Sequence, residues 1–148
     1  MAVATHVSRV SKDYAPHGYS IMEDVVVRFG ALAHSNNHNV FVPVYFADDS
    51  DVYVESATLW TKTALASEAT NYWTMSIVSG ISGVAHEAAI SSGVGGASNA
   101  IAINVLTDMP ITAPVVSQKS TIWLKCLPNH ASSAAESLGV IVRLRRKA

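Results

Sequence analysis

The sequence between Asp51 and Gly80 contains two runs in which residues of contrasting polarity alternate one by one. The residues that share one face are Trp73, Met75 and Ile77 in the second run, and Ala57, Leu59, Thr61, Thr63 and Leu65 in the first. A period of two is typical of a β-strand that buries one face, because successive side chains of a strand point to opposite sides. A short loop of mostly small residues, 66–71, separates the runs. The pattern therefore predicts a long antiparallel hairpin.

Two irregularities in these patterns predict local distortions. Val52 and Val54 lie in the opposite phase to the rest of the first run, which predicts a bulge or a twist near Glu55–Ala57. Pro43 interrupts the alternating run Val40–Ala47. Because proline has no N–H to donate to a neighbouring strand, we expect this run at a sheet edge or at a bulge.

The same alternation recurs along most of the chain after residue 18. It predicts further strands at Tyr19–Ala33, Val40–Ala47, Ala100–Met109, Lys119–Leu127 and Ser137–Lys147, and a short strand or a helical turn between Val84 and Ile90. Strands without intervening helices cannot make parallel crossovers, so the sheets should be antiparallel. We predict an all-β fold over residues 19–148, an antiparallel two-sheet β-sandwich of about eight strands that is jelly-roll-like, with a seven-stranded immunoglobulin-like sandwich as the alternative.

The charge content bears on how much of the surface meets water. Only 14% of the 148 residues are charged, against roughly 25% in soluble domains, so we expect part of the neutral surface to be buried in an assembly. The net charge of −1 argues against a general nucleic-acid binder. A single cysteine, Cys126, excludes an internal disulfide framework and is expected as a small buried residue. The sequence shows no apolar run long enough for a membrane span and no signal-peptide core, which predicts synthesis in the cytoplasm.

The first 18 residues have no sustained periodicity. Two interpretations are open: a frayed terminus, or an extended arm that becomes ordered against a neighbouring subunit. The low charge favours the arm, because free disordered tails are usually rich in charge. Its candidate partner-binding residues are His6, Arg9, Lys12 and Tyr14.

Two polar clusters have the residue types of a metal site. His34 and His38 flank a turn-forming Asn-Asn pair, with no cysteine or carboxylate nearby to complete a zinc site. Asp48, Asp49 and Asp51 supply hard oxygen ligands, but calcium needs six to eight oxygens and the EF-hand spacing is missing. We predict no metal at the histidines, and the sequence leaves a cation at the aspartates open.

No motif predicts catalysis. Gly93, Gly95 and Gly96 resemble a phosphate-binding loop only in composition, because Ser98 stands where a third glycine is expected and no helix follows. The segment 80–83 is one residue short of a nucleophile elbow. We therefore expect neither an enzyme nor a cofactor.

The tryptophans and the C-terminal arginines are the strongest candidates for partner contacts. Trp60 and Trp123 fall in the opposite phase to the predicted core, where a subunit interface is the favoured interpretation and a sugar-stacking platform is the alternative. Arg143, Arg145 and Arg146 concentrate positive charge. The net charge favours a solvated sheet edge, or docking on an acidic protein surface, over contact with phosphates.

The pattern of most of residues 19–147 resembles the small jelly-roll structural proteins of tailed-bacteriophage virions, especially the capsid decoration (cement) proteins. The segments that carry the resemblance are Val54–Trp60, Ala69–Ile77, Ser120–Lys125 and Leu138–Arg143. The resemblance implies a homo-oligomer, a trimer, that sits on the major capsid protein of a virion and binds the shell through its terminal arm. Related sandwiches also serve as head fibres and tail attachment modules, so a carbohydrate- or receptor-binding module is the alternative function.

Overall fold

The predicted all-β class is confirmed by a computed structural model of the chain. The structure describes residues 19–30, 39–62, 72–80, 88–96, 100–102, 104–129 and 138–147, and these residues form no helix. The segments expected to carry an N-terminal arm and the His34/His38 turn lie outside the described residues. In the described part of the chain there is thus no helix with the length and apolar character to cross a membrane.

The described residues form ten strands. They are β1 (Tyr19–Phe29), β2 (Val40–Phe46), β3 (Val52–Thr61), β4 (Tyr72–Gly80), β5 (Ala88–Ala89), β6 (Val94–Gly95), β7 (Thr107–Asp108), β8 (Val115–Val116), β9 (Thr121–Asn129) and β10 (Leu138–Lys147).

The strands are divided between two antiparallel sheets. The first sheet has the order β1-β10-β3-β7, with β8 also paired to β3, and the second has the order β2-β9-β4-β5, with β6 also paired to β4. The first strand thus pairs with the last, and the second with the last but one. A long hairpin that is rolled up in this way is a jelly roll, so the predicted jelly-roll-like sandwich is confirmed.

The prediction of about eight strands differs from the observed ten because two strand positions are split. The two-residue strands β5 and β6 both pair with β4, and β7 and β8 both pair with β3. Each split pair therefore fills one of eight strand positions, four in each sheet.

The predicted hairpin between β3 and β4 is wrong. β3 pairs with β10, β7 and β8 in the first sheet, whereas β4 pairs with β9, β5 and β6 in the second. Both strands bury one face in the same core, Leu59 from β3 and Ile77 from β4. Period-two alternation marks the buried face of a strand, and it cannot distinguish two strands that lie side by side from two that face each other across a core.

The core lies between the two sheets, as the alternation predicts. The buried residues on the predicted inward faces are Ala57, Leu59, Trp73, Met75, Ile77, Ile122, Leu124, Cys126, Leu138, Val140, Val142 and Leu144. Val25, Val27 and Phe29 of β1 pack against this cluster at one edge.

Both predicted distortions are present. In the β3–β10 ladder, Arg143 pairs with Ser56 and Leu144 with Val54, so Glu55 is a bulge residue. β2 is the edge strand of the second sheet, and its register shifts between Pro43 and Tyr45. That shift turns Tyr45 toward the core.

The shift in β2 also corrects a prediction. The alternation of Val40, Val42, Val44 and Phe46 places all four on one face, and the first three do pack in the core. Phe46 follows the bulge and is 49% exposed instead.

Among the described residues of the strand predicted over Ala100–Met109, the structure has only the two-residue strand β7. Asn104 has a positive φ of 56° and donates its N–H to the Thr61 carbonyl, which ends any regular strand there. As a result Val105 and Leu106 are more than half exposed, at 52% and 58%.

Candidate interaction surface

The outer face of the first sheet carries a groove beside Trp60. Trp60 on β3 lies opposite Gly139 on β10, and Gly139 in turn lies opposite Arg28 on β1. Because residue 139 has no side chain, this row of the sheet is open between the indole ring and the arginine. The groove has a volume of about 310 Å³ and is lined by Val26, Arg28, Trp60, Leu106, Gly139, Val140 and Ile141.

The rim of this groove is apolar and accessible. Val26 is 44% exposed and Leu106 is 58% exposed. Single exposed apolar side chains are common on soluble proteins, whereas a group of them around a half-buried tryptophan is a candidate interaction site. We call Val26, Trp60, Leu106 and Ile141 the Trp60 surface.

Positive charge borders the Trp60 surface on one side. A second, shallower depression of about 350 Å³ lies beside the ring, with Arg28 and Lys62 in its lining. Both cations are exposed. Tryptophan and arginine are enriched in protein interfaces, and a ring beside hydrogen-bond donors also suits a sugar.

The C-terminal arginines form ion pairs with neighbouring strands. Arg143 donates from Nε to Asp24 Oδ1 at 2.7 Å and from Nη2 to Asp24 Oδ2 at 3.0 Å. Arg145 Nη2 lies 3.1 Å from Glu55 Oε1, and Arg146 Nε lies 3.5 Å from Glu23 Oε2. The cationic run is therefore largely neutralised within the sheet.

The expectation that these arginines sit on a sheet edge is wrong. β10 lies between β1 and β3, so it is an interior strand of the first sheet. Its positive side chains serve to bind acidic residues from both neighbouring strands, because cross-strand pairs of opposite charge stabilise a sheet.

The Asp24–Arg143 pair shifts the pKa of both partners. The hydrogen bonds from Arg143 hold the pKa of the Asp24 carboxyl below its ordinary value, and burial acts in the opposite direction. The same bonds raise the pKa of Arg143. Each partner thus stabilises the charged form of the other.

Trp123 lies on the other side of the molecule. It belongs to β9 in the second sheet, and its ring meets Phe41 edge-on, with ring centroids 6.5 Å apart and an interplanar angle of 82°. The prediction that both tryptophans point away from the core is confirmed, since both are only half-buried. They lie on opposite faces of the sandwich, so they cannot form one platform.

A polar cleft of about 280 Å³ opens at one end of the sandwich, with Tyr45, Asp48, Asp49 and Arg146 in its lining. Burial raises the pKa of Tyr45, and the negative charge of Glu23 adds to the effect. The cleft brings together groups from β1, β2 and β10 that are far apart in the sequence.

Two aspartates near the cleft already bind neighbouring residues, one through an ion pair and one through a hydrogen bond. Asp48 Oδ1 lies 2.7 Å from Lys119 Nζ, and Asp51 Oδ1 accepts the backbone N–H of Gln118 at 2.8 Å. In the ranges that the structure describes, no three histidine, cysteine or acidic side chains are grouped to hold a metal ion.

The glycine run and the cysteine have structural roles. Gly95 and Gly96 have positive φ angles of 85° and 102°, and the Gly96 N–H donates to the Trp73 carbonyl at 2.9 Å. These glycines let β6 approach β4 closely. Cys126 is fully buried, and burial raises its thiol pKa to about 12, so the thiol is protonated and unreactive at neutral pH.

The structure separates the predicted partner-binding residues into three groups. His6, Arg9, Lys12 and Tyr14 lie outside the described residues. Trp60, Arg143 and Arg145 belong to the first sheet, with Arg146 at its end near the cleft, and Trp123 belongs to the second.

Sequence reasoning missed the other members of the Trp60 surface. Val26 and Ile141 alternate with the core residues of their strands, and this alternation could have identified them as apolar residues on the outer face. Leu106 had no such signal, because the predicted strand around it does not form. Comparisons of the chain with known protein families, with curated proteins and with solved structures found no match.

Proposed function

We propose that this chain is a virion structural protein of the capsid decoration (cement) type. It binds the outer surface of a viral capsid and stabilises the shell by adding contacts between subunits. The proposal places the chain in the virion after synthesis in the host cytoplasm, and it includes no catalytic activity, metal or cofactor.

The observation that carries the proposal is the Trp60 surface. An accessible apolar group around a tryptophan, bordered by Arg28, has the composition of an interface centre. The low charge of the chain supports burial of such a surface. Jelly rolls are common in capsid and lectin domains, which supports the proposal by analogy of fold only.

The mechanism is additive burial over a lattice. A typical stable interface buries about 800 Å² on each partner, and many copies on one shell would each cross-link neighbouring capsid subunits. The major capsid protein is the proposed partner. The homotrimer and the shell-binding arm over residues 1–18 stay predictions of the resemblance.

Co-sedimentation with undecorated capsids of the virus that encodes the chain tests the surface. Trp60→Ser should weaken binding about 30-fold or more, as expected for an interface residue worth about 2 kcal/mol. Trp123→Ser, on the opposite sheet, is the matched control and should bind like the wild type. Full binding by Trp60→Ser, or loss only with Trp123→Ser, would contradict the assignment of this face.

The N-terminal segment has a separate test. Deletion of residues 1–18 should weaken shell binding and leave the thermal unfolding of the sandwich unchanged. Co-sedimentation of the truncated chain at full strength would remove the arm from the proposal and leave the Trp60 surface in place.

The second candidate is a carbohydrate- or receptor-binding module on a head fibre or tail. It is favoured by the ring of Trp60 beside two cationic donors, Arg28 and Lys62, in one shallow depression. A sugar ring would stack on the indole, and the cations would donate hydrogen bonds to hydroxyl or carboxylate oxygens. A glycan array distinguishes the two functions, because a uniformly blank array removes this candidate.

A further inference from the structure

The four edges of the two sheets differ in how well they are protected from pairing with another chain. β2 contains Pro43 and a register shift, and the opposite edge of its sheet consists of the two-residue strands β5 and β6. The far edge of the first sheet consists of β7 and β8, also two residues each. Prolines, bulges and very short strands are the usual means by which proteins block edge pairing.

β1 is an edge with less protection: its one register shift, between Tyr19 and Ile21, lies at its start. It runs from Tyr19 to Phe29 without proline or glycine, and its register with β10 is continuous from Ile21 to Phe29. In the described part of the chain no strand pairs with its outer side. A long regular edge strand presents a row of backbone N–H and C=O groups to any strand that can match it.

The outward side chains of β1 are complementary to a second copy of themselves. Val26 is 44% exposed, and Asp24 and Arg28 lie two residues before and after it on the same face. In an antiparallel pair centred on Val26, each Val26 would face its symmetry mate and each Asp24 would face Arg28 of the other copy. Opposite charges directly across a ladder stabilise it, and like charges destabilise it.

Other centres lose this match. Pairing centred on Asp24 or on Arg28 would place like charges opposite each other, and pairing centred on Val25 would set Asp24 against Val26. Arg28 and Asp24 also differ in the ion pairs that they form within one copy of the chain. Arg28 has no ion pair within the described residues, and the Asp24 carboxylate keeps acceptor capacity beyond its two bonds to Arg143.

We propose that β1 is a self-pairing edge, through which two copies of the chain join antiparallel about a two-fold axis at Val26. The contact merges the two first sheets into one continuous sheet and places both Trp60 surfaces on the same side of it. A two-fold contact uses the same strand on both copies, so it closes and does not propagate into fibres. It does not depend on the proposed capsid function, since it is measured on the isolated chain, and it predicts a dimer where the resemblance implies a trimer.

Reversing the charge of Asp24 or of Arg28 tests the contact and its register. Sedimentation equilibrium of the full chain should give twice the mass of one copy. Arg28→Glu alone and Asp24→Lys alone each place like charges across the axis, so each should shift the protein to the mass of one copy. An equimolar mixture of the two variants restores opposite charges at both positions and should recover the doubled mass.

Lys62→Glu is the matched control, because it makes the same charge change beside Trp60 but outside β1. It should keep the doubled mass. A monomeric wild type, a trimer that Arg28→Glu leaves intact, or a mixture of variants that stays at the mass of one copy would overturn the proposal.

A cysteine at the axis gives a second measurement that does not rely on charge. Val26→Cys should form an intermolecular disulfide under mild oxidation, since directly opposite residues of a ladder lie within disulfide range. Val115→Cys, which is more exposed than Val26 but lies on β8, should not. The buried Cys126 thiol does not interfere. Failure of Val26→Cys to cross-link under conditions in which the wild type has the doubled mass would exclude the axis at Val26.

Discussion

Gly139 on β10 lies directly opposite Trp60 on β3, and the indole ring borders the space that a side chain at residue 139 would occupy. A Cβ added at Gly139 would lie 3.6 Å from Trp60 Cε3, which is an ordinary van der Waals contact. Alanine therefore fits at this position, whereas a larger side chain must fill the groove or displace the ring.

Substitutions of Gly139 are expected to alter the groove without disrupting the fold. Gly139→Leu should weaken capsid binding about tenfold or more, because it fills the groove beside Trp60, and Gly139→Ala should bind within about twofold of the wild type. Co-sedimentation measures binding, and tryptophan fluorescence reports whether the ring has moved. A leucine variant that binds like the wild type would show that the groove is not part of the contact.

The inward faces of the strands could be predicted from the sequence because burial imposes a local pattern. Leu138, Val140 and Val142 alternate with outward residues in β10, and the sequence alone identifies them as core. The bulge at Glu55 was also local, since the phase of the valines changes on either side of it.

The partners of each strand could not be predicted in the same way. β3 and β4 are consecutive and both amphipathic, yet they lie in different sheets, because pairing depends on strands that come later in the chain. The ion pair of Asp24 joins residues 119 positions apart, and Leu106 reaches Trp60 only through the topology. Such contacts leave no periodic signal in the sequence.

The core assignment leads to a direct stability test. Leu59 is fully buried, so Leu59→Ala should lower the free energy of unfolding by about 2–5 kcal/mol, through lost burial and the cavity that remains. Leu106→Ala removes the same atoms from an exposed position and should change the free energy of unfolding by less than about 0.5 kcal/mol. Urea unfolding measures both, and equal effects would contradict the burial of Leu59.

The Asp24–Arg143 pair predicts a pH dependence of stability. Arg143→Gln removes both hydrogen bonds and should cost about 0.2–1 kcal/mol at pH 7, as expected for a partly exposed pair. Because the folded-state pKa of Asp24 is lowered, this contribution is complete above the ordinary aspartate pKa of about 3.9 and is lost as the pH falls through the lower folded value.

Unfolding free energies of the wild type and Arg143→Gln should therefore converge in acid. Lys62→Gln removes an exposed cation from the same sheet and is the control, with a small difference from the wild type at both pH values. A gap between wild type and Arg143→Gln that stays constant down to about pH 2 would show that the pair does not account for it.

Gly95 and Gly96 allow the structural role of the glycine run to be measured. Both have positive φ, which costs a residue with a side chain about 1–2 kcal/mol. A Cβ at Gly95 would in addition overlap the Trp73 carbonyl oxygen, whereas the nearest atom to a Cβ at Gly96 is Thr74 Oγ1 at 3.9 Å. Gly96→Ala should therefore lower the free energy of unfolding only by the backbone cost of about 1–2 kcal/mol. Gly95→Ala should lower it by more than about 2 kcal/mol, because β6 must also move away from β4. Urea unfolding of the two variants compares these costs, and equal stability would mean that β6 does not approach β4 as closely as the structure places it.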